Sequence, residues 1–436
     1  MMAQVSAQAV PPAIPQTLAQ KLLARASGRA HVTPGEIVTC RVDLAMMHDS
    51  GGPRRVKPLL EKIGARVWDP SRVVVVTDHY VPAHDADSRR IVQIARDWVR
   101  EEGVARFHDM EGICHVVVPQ KGYLRPGMMA VGGDSHSSTG GAFGAYMFGI
   151  GATEMLGVLV TGEIWVRVPQ TIRMQWHGRL RPGVSAKDMM LRMCTQFGMD
   201  GGQYQAVEYA GAAVSALSMQ ERMTLSNMTA ELGAQVGLVA PDAVTRDWLL
   251  GAGVAPSDLD VDRWQSDAGA ACLATHDFDA ASLAPQVSRP HTPADASDVD
   301  NLNNVAVDIA YIGACTGAKL DDLRMAAQVL RGQRVARNTR LLVAPASAAD
   351  QAQAEREGTL GALVAAGAEL LPNACGACAG YGEHRFGEDT VVISSTARNF
   401  KGRMGAASSL VYLGSPYTVA ASAIAGRIAD PREMLS

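Results

Sequence analysis

Aromatic side chains are scarce. Phe, Trp and Tyr make up 5% of the 436 residues, so any interior must be built mainly from aliphatic side chains and alanine. Cysteines number seven, too few and too scattered to serve as a disulfide framework for a chain this long. Positive charge has no surplus: 40 Lys+Arg against 44 Asp+Glu leave a net charge of -4, which disfavours nucleic acid or an anionic membrane as the natural partner. A long uncharged apolar run is also missing. The best candidate, Ala145–Val166, is interrupted by Glu154 and Glu163, which favours a buried helix pair over a membrane span. The residues through Leu18 hold no Lys or Arg, so the charged start of a signal peptide is absent and a cytoplasmic location is expected.

What is present suits a large, well-cored enzyme. Apolar residues reach 47%, glycines number 43 and the mean hydropathy is +0.02. At roughly 150 residues per domain, the length suggests about three domains. Short aliphatic runs alternate with helical periods. Arg72–Thr77, with its four valines, precedes a helix over Ser88–Val99; Val305–Ile312 precedes Lys319–Leu330; Arg340–Ala344 precedes Ala348–Ala366; and Val411–Leu413 precedes Tyr417–Ile428. A first helix is expected at Leu18–Ala26, after a loose leader over 1–15. Such alternation predicts an α/β fold with mostly parallel sheets covered on both faces. Composition shifts divide the chain into units 16–168, 169–285 and 305–436. The Pro-, Ser-, Asp- and Asn-rich stretch 286–304 is expected as a linker.

Polar residues gather where the predicted strands end. Asp78-His79 follows the valine run, Asp134-Ser135-His136 follows Met129–Gly133, Cys315-Thr316 follows Tyr311–Ala314, and Thr396–Arg403 follows Val391–Ser394. Ligand crevices in open parallel sheets lie at the carboxyl ends of strands, so these clusters predict one cleft shared between units. Cys375 and Cys378 form a Cys-x-x-Cys in a Gly- and Ala-rich loop, and Cys315 sits in a second small-residue turn. Small neighbours let backbone N–H groups approach sulfur, as an iron–sulfur cluster requires. Three thiolates would fill three corners of a [4Fe–4S] cube and leave one iron open. The same spacing also allows a zinc knuckle completed by Cys315 and His384, or a redox dithiol. Cys40, Cys114, Cys194 and Cys272 read as small buried side chains.

The ordered series VTDHYVP (76–82), EGICH (111–115), GGDSHSSTGGAFGAYMFGIGATE (132–154), LSNMTAELGA (225–234), IGACTG (312–317), ACGACAG (374–380), ARNFKGRMG (397–405) and YLGSPYTVAASAIAG (412–426) resembles the aconitase superfamily. Within it, the chain looks most like large subunits of the isopropylmalate dehydratase type, over nearly its whole length. The resemblance implies a three-domain α/β/α architecture around a central cleft. It also implies a hydro-lyase that moves water across a carbon–carbon bond of a malate-type di- or tricarboxylate. Carried over motif by motif, it gives Cys315, Cys375 and Cys378 a [4Fe–4S] cluster with one open iron. Asp78 and His79 become the pair that protonates the leaving hydroxyl, Asp134 with His115 a second such pair, and His136 with Glu231 the holders of water or hydroxide at the cluster. Ser135 and Asn227 would position substrate and cluster. Arg398 and Arg403 would bind substrate carboxylates, and His48, in HDSGGP, takes the place of a substrate-contacting Gln or His.

The chain departs from the family's usual pattern at Ala314 and Gly317 (Ser and Asn in Gly-Ser-Cys-Thr-Asn), at Ala374 (Gly) and at Ala397 (Asn). These changes remove hydrogen-bonding groups near the cluster. Full-length aconitases add a swivelling domain that supplies a catalytic serine and further arginines. The resemblance implies that a separate small subunit supplies that domain here. Two other functions fit the fold: a cluster-free RNA-binding or regulatory protein, which the charge balance disfavours, and a zinc-stabilised scaffold subunit.

Overall fold

The computed structural model describes residues 14–381 and 384–435. Three larger sheets organise the described residues, beside an antiparallel pair of Ile37–Arg41 with Glu163–Arg167. The first is wholly parallel, with strands in the order Arg106–Asp109, Val73–Thr77, Leu44–His48, Met129–Gly132 and Tyr146–Gly149. The second is parallel, in the order Val236–Val239, Ala206–Ala210, Thr171–His177 and Ala274–Asp279. The third runs Ala296–Asp298, Gln286–Ser288, Leu410–Leu413, Val391–Ser394, Ile309–Ile312, Arg340–Val343 and Ala368–Leu370; it is parallel except at the edge formed by its first two strands. The α/β class expected from the alternating runs is thus the class observed.

Helices cover these sheets, which is why their inner strands tolerate continuous apolar sequence. Leu44–His48 and Val73–Thr77 are buried at every position. Leu44, Val74 and Ile113 of the first unit share one apolar cluster with Ile312, Leu323 and Val343 of the third, so the two sheets pack around a common core. Local signals set the helix ends. Thr17 and Gln20 form a capping box ahead of Leu18–Ala26, and Ser185 with Asp188 does the same for Ala186–Phe197. Gly103, at φ +72°, ends Ala86–Glu102 in the left-handed conformation.

Three expectations need correction. Ala145–Val166 is not a helix pair: Tyr146–Gly149 is a strand, Ala152–Thr161 a helix and Glu163–Arg167 a second strand. Gly162, at φ +71°, stops the helix, and Glu163–Arg167 alternates exposed and buried side chains as a half-buried strand does. Among the described residues no helix is long and apolar enough to cross a membrane. Ala348–Ala366 is two helices, Ala348–Arg356 and Thr359–Ala366, parted by Gly358 at φ +78°. The stretch 286–304 holds the two edge strands of the third sheet and the short helical turn Val299–Leu302; fully buried Val287 and Val299 tie it to the core. Sparse periodicity hid strands of only three residues. The expected leader over 1–15 falls mostly outside the described residues.

Asp188 shows how this segment is fastened. Its carboxylate accepts hydrogen bonds from the Gln286 and Ser185 N–H groups, both at 2.8 Å, and is fully buried. Burial outweighs these bonds and pushes its pKa up to about 6. The folded state therefore keeps a proton that the unfolded chain has released, and the stability so gained is lost as pH rises from about 4 through about 6. Asp188→Asn removes that loss. Relative to the parent, the variant is expected to gain about 2 kcal/mol of unfolding free energy between pH 4.5 and 7.5, measured by denaturant titration.

Candidate active site

The carboxyl ends of strands from the first and third sheets open onto one cavity of about 470 Å³. His48, His79, His115, Asp134, Ser135, His136, Cys315, Cys375, Cys378, Arg398 and Arg403 all line it. Asp78, Asn227 and Glu231 stand directly behind this lining, each with 0% exposure. Every residue expected at the site from sequence is therefore in the lining or hydrogen-bonded to it.

Two histidine–carboxylate pairs dominate one wall. His79 Nδ1 donates to Asp78 Oδ1 at 2.6 Å, and Asp78 Oδ2 accepts from the Cys114 N–H at 2.7 Å. Burial alone would raise Asp78, but the charge and hydrogen bond of His79 bring it down to about 2. Burial alone would likewise lower His79, yet Asp78, with Asp49 and Asp134 beyond it, lifts it to about 10. The imidazole is thus held charged, and His79 lines the cavity with no Nε2 hydrogen bond among the described residues. In the second pair His115 Nε2 donates to Asp134 Oδ1 at 2.8 Å, and the same oxygen caps the next turn by accepting the His136 N–H at 2.8 Å. Burial is again outweighed: the two histidines hold Asp134 well below the ordinary carboxylate range.

A chain of charge-assisted bonds continues from the second pair through His136. His136 Nε2 donates to Glu231 Oε1 at 3.1 Å, Arg398 Nε donates to that same oxygen at 2.5 Å, and Arg398 Nη1 reaches Ser135 Oγ at 2.9 Å. Against the effect of burial, His136 and Arg398 lower the Glu231 pKa. Asn227 Nδ2 donates to Cys315 Sγ at 3.2 Å and to Thr139 Oγ1 at 2.8 Å. Neighbouring Cys375, with Arg403, brings the Cys378 thiol down to about 5 despite burial. Burial pushes Cys315 up to about 12.

The site's surroundings bear on what could occupy it. The described His, Cys, Asp and Glu side chains that converge within 4.8 Å form two sets, His48-Asp49-Asp78-His79 and His115-Asp134-His136. Neither contains a cysteine, so the three thiols do not converge as ligands of a single ion would. His384 lines a neighbouring apolar cavity with Val81, Leu371 and Pro372 and is not among the residues lining the cysteine cavity. Asn227 Oδ1, Glu231 Oε2 and Arg403 Nε are buried without a hydrogen-bond partner among the described residues. Buried polar atoms left unpaired around thiols fit a polar or ionic group lodged between them.

The four departures also have physical settings. Ala314 holds φ +69° immediately before Cys315. A Cβ at Gly317 would lie 2.1 Å from Ser395 Oγ, and that hydroxyl accepts the Gly313 N–H at 3.0 Å. Ala374 packs with Val81 and Val92, and Ala397 with Leu413 in the core of the second unit.

His48 differs from its expected role in one respect. The Gly51 N–H donates to Nδ1 at 3.3 Å, so Nε2 carries the proton, which it gives to the Gly133 carbonyl at 3.1 Å. Both nitrogens are thus engaged by protein, and the ring stacks on His79 at 4.2 Å. Sequence reasoning missed Asp49. Fully buried, it accepts the backbone N–H groups of His79 at 3.0 Å and Tyr80 at 2.8 Å, and so fixes the turn that carries His79. Its place next to His48 at a strand end was the available signal.

The family model for the aconitase family (aconitate hydratase) matches residues 20–305 and 298–426. The chain is 42% identical over 425 residues to the 3-isopropylmalate dehydratase large subunit 1 of Methanopyrus kandleri, covering 96% of this chain and 100% of that protein. It is also 42% identical over 394 residues to the probable methanogen homoaconitase large subunit of Methanosarcina mazei, covering 90% and 99% respectively. Among solved structures, Thermococcus kodakaraensis aconitase X in its holo-form aligns with a TM-score of 0.47 at 12% identity, over 83% of this chain and 84% of that one. Matches of this extent to a family model and to curated sequences settle the classification: the chain belongs to the aconitase family.

Proposed function

We propose that the chain is the cluster-bearing large subunit of a hydro-lyase that dehydrates and rehydrates a 3-isopropylmalate-like hydroxy-dicarboxylate or a related tricarboxylate. It works in the cytoplasm with a small subunit closing the cavity. The units 16–168, 169–285 and 305–436 act as three domains around the cleft. One observation carries this reading: three cysteines, two histidine–carboxylate pairs and two arginines meet in a single cavity in a chain of this family. The relatives' designation as large subunits supports the partner.

Cys315, Cys375 and Cys378 are the residues that would hold a [4Fe–4S] cluster. When bound, the cluster supplies Lewis acidity at the one iron without a cysteine, easing departure of a hydroxyl. Arg398 and Arg403 bind and orient substrate carboxylates. His79, kept protonated by Asp78, delivers the proton that lets the hydroxyl leave as water, while the serine that the small subunit would supply takes the proton from the adjacent carbon. His115, oriented by Asp134, is a second such pair, and His136 with Glu231 holds the water that leaves and returns. His48, neutral and bonded on both nitrogens, braces the His79 ring. The thiols' spread beyond a single-ion set argues against the zinc-scaffold alternative.

The test pairs the anaerobically prepared chain with the small subunit from the same source and follows the unsaturated product of 3-isopropylmalate by absorbance. Turnover by the complex, with at most a few per cent from the large subunit alone, is expected. Full turnover by the isolated chain, or none by the cluster-loaded complex with either 3-isopropylmalate or homoaconitate, would contradict the proposal.

A further inference from the structure

Two lysines are wholly enclosed near the cysteine turns, and they differ in one respect. Lys319 Nζ, at 0% exposure, has a carboxylate partner, Asp322 Oδ2 at 2.6 Å, besides the Cys315 carbonyl at 3.0 Å. Lys187, at 1% exposure, has none within ion-pair distance among the described residues. Its ammonium donates to the Ser395 carbonyl at 2.6 Å, to the Thr396 carbonyl, and to Thr316 Oγ1 at 3.4 Å. Three donors thus meet three acceptors, all neutral. Enclosing a cation without an anion costs several kcal/mol, and carbonyl dipoles offset only part of that.

The partners give this arrangement its meaning. Lys187 belongs to the helix Ala186–Phe197 of the second unit, whereas its three acceptors belong to the third, 129 to 209 residues away. Thr316 follows Cys315, and Ser395-Thr396 leads through Ala397 into Arg398. The two turns already interlock: the Thr316 hydroxyl donates to the Ser395 carbonyl at 3.1 Å, and Ser395 Oγ donates to the Gly317 carbonyl at 3.1 Å. Only a residue without Cβ fits at 317 against Ser395. Among the described residues Lys187 is the one second-unit side chain that hydrogen-bonds both turns; the second unit also supplies Glu231, the carboxylate that Arg398 grips.

We propose that Lys187 is a positioning residue: its ammonium pins the Arg398 turn to the Cys315 turn in register with Glu231, and its buried charge offsets the negative charge gathered at the three thiolates. This rests on the cluster-bearing hydro-lyase reading above. Burial lowers the Lys187 pKa to about 8, so the charge persists at neutral pH.

The test uses the complete two-subunit enzyme carrying Lys187→Met or Lys187→Gln, with 3-isopropylmalate as substrate. Both variants are expected to keep the parent's iron and sulfide content. Lys187→Met should raise KM about tenfold while kcat falls less than about threefold, because carboxylate binding by Arg398 is what slackens. Spectroelectrochemical titration should show the cluster harder to reduce in both variants, since both lose the charge. Lys187→Gln, which keeps an amide donor, should recover most of KM. An unchanged KM or an unchanged potential in Lys187→Met overturns the proposal. If that variant does not fold, the potential of Lys187→Gln decides: a shift supports the proposal and a parental value overturns it. Absence of cluster and turnover in the parent would instead overturn the underlying functional reading.

Discussion

Cys378→Ser is expected to cost at least about 10³-fold in kcat, together with the loss of bound iron and sulfide, when the variant is prepared anaerobically beside the parent. The magnitude follows from the several kcal/mol of Lewis-acid stabilisation that an open metal position gives a departing hydroxyl. Cys378 is the sharpest of the three positions to test. Its thiol is brought down to about 5 by neighbouring Cys375 and Arg403, a shift toward the thiolate that binds metal. Serine preserves the volume and a hydrogen-bonding group but not the soft thiolate. Cys194→Ser is the control: that cysteine is equally buried, packs with Met190 and Leu191 in the second unit, and does not line the cavity. It should retain metal and activity. Activity within threefold of the parent in Cys378→Ser would exclude this cysteine as a ligand.

The second large effect concerns the proton donor. Asp78→Asn should lower kcat by about 10²–10⁴ while leaving iron content and circular dichroism unchanged. The substitution keeps the shape of the side chain but removes the anion that keeps His79 protonated at about 10. With it gone, burial favours the neutral ring, and the ring's proton is no longer held in place by a carboxylate. His79→Gln should fall by a similar factor, and the double variant little further, because the two residues act as one unit. Comparable steady-state rates in Asp78→Asn and parent would remove this pair from the mechanism.

Much of this site was legible in the sequence because its parts sit at the ends of aliphatic strands. Val73–Thr77 announces itself by four valines, and the polar residues after it could point only into a crevice. The thiol turns were equally visible as cysteines among glycine and alanine. What stayed hidden depends on contacts between distant segments. Lys187 looks like an ordinary charge in the first turn of an amphipathic helix; its role comes from acceptors in another unit, 208 residues away at Ser395. Asp49 reads as a turn residue until the His79 and Tyr80 amides, about 30 positions on, are seen to converge on it. Ala145–Val166 misled because strand, helix and strand are largely apolar there and are parted only by Ile150-Gly151 and Gly162, so composition could not resolve the period. The edge strands within 286–304 are too short to show alternation at all.

The most direct measurement is metal and acid-labile sulfide analysis of the chain purified without oxygen, joined to its electron paramagnetic resonance spectrum. About four iron and four sulfide per chain are expected, with a brown colour that Cys315→Ser, Cys375→Ser and Cys378→Ser each abolish or sharply reduce. A colourless protein, or one carrying a single zinc ion and no sulfide, would contradict the assignment of these three cysteines to a cluster.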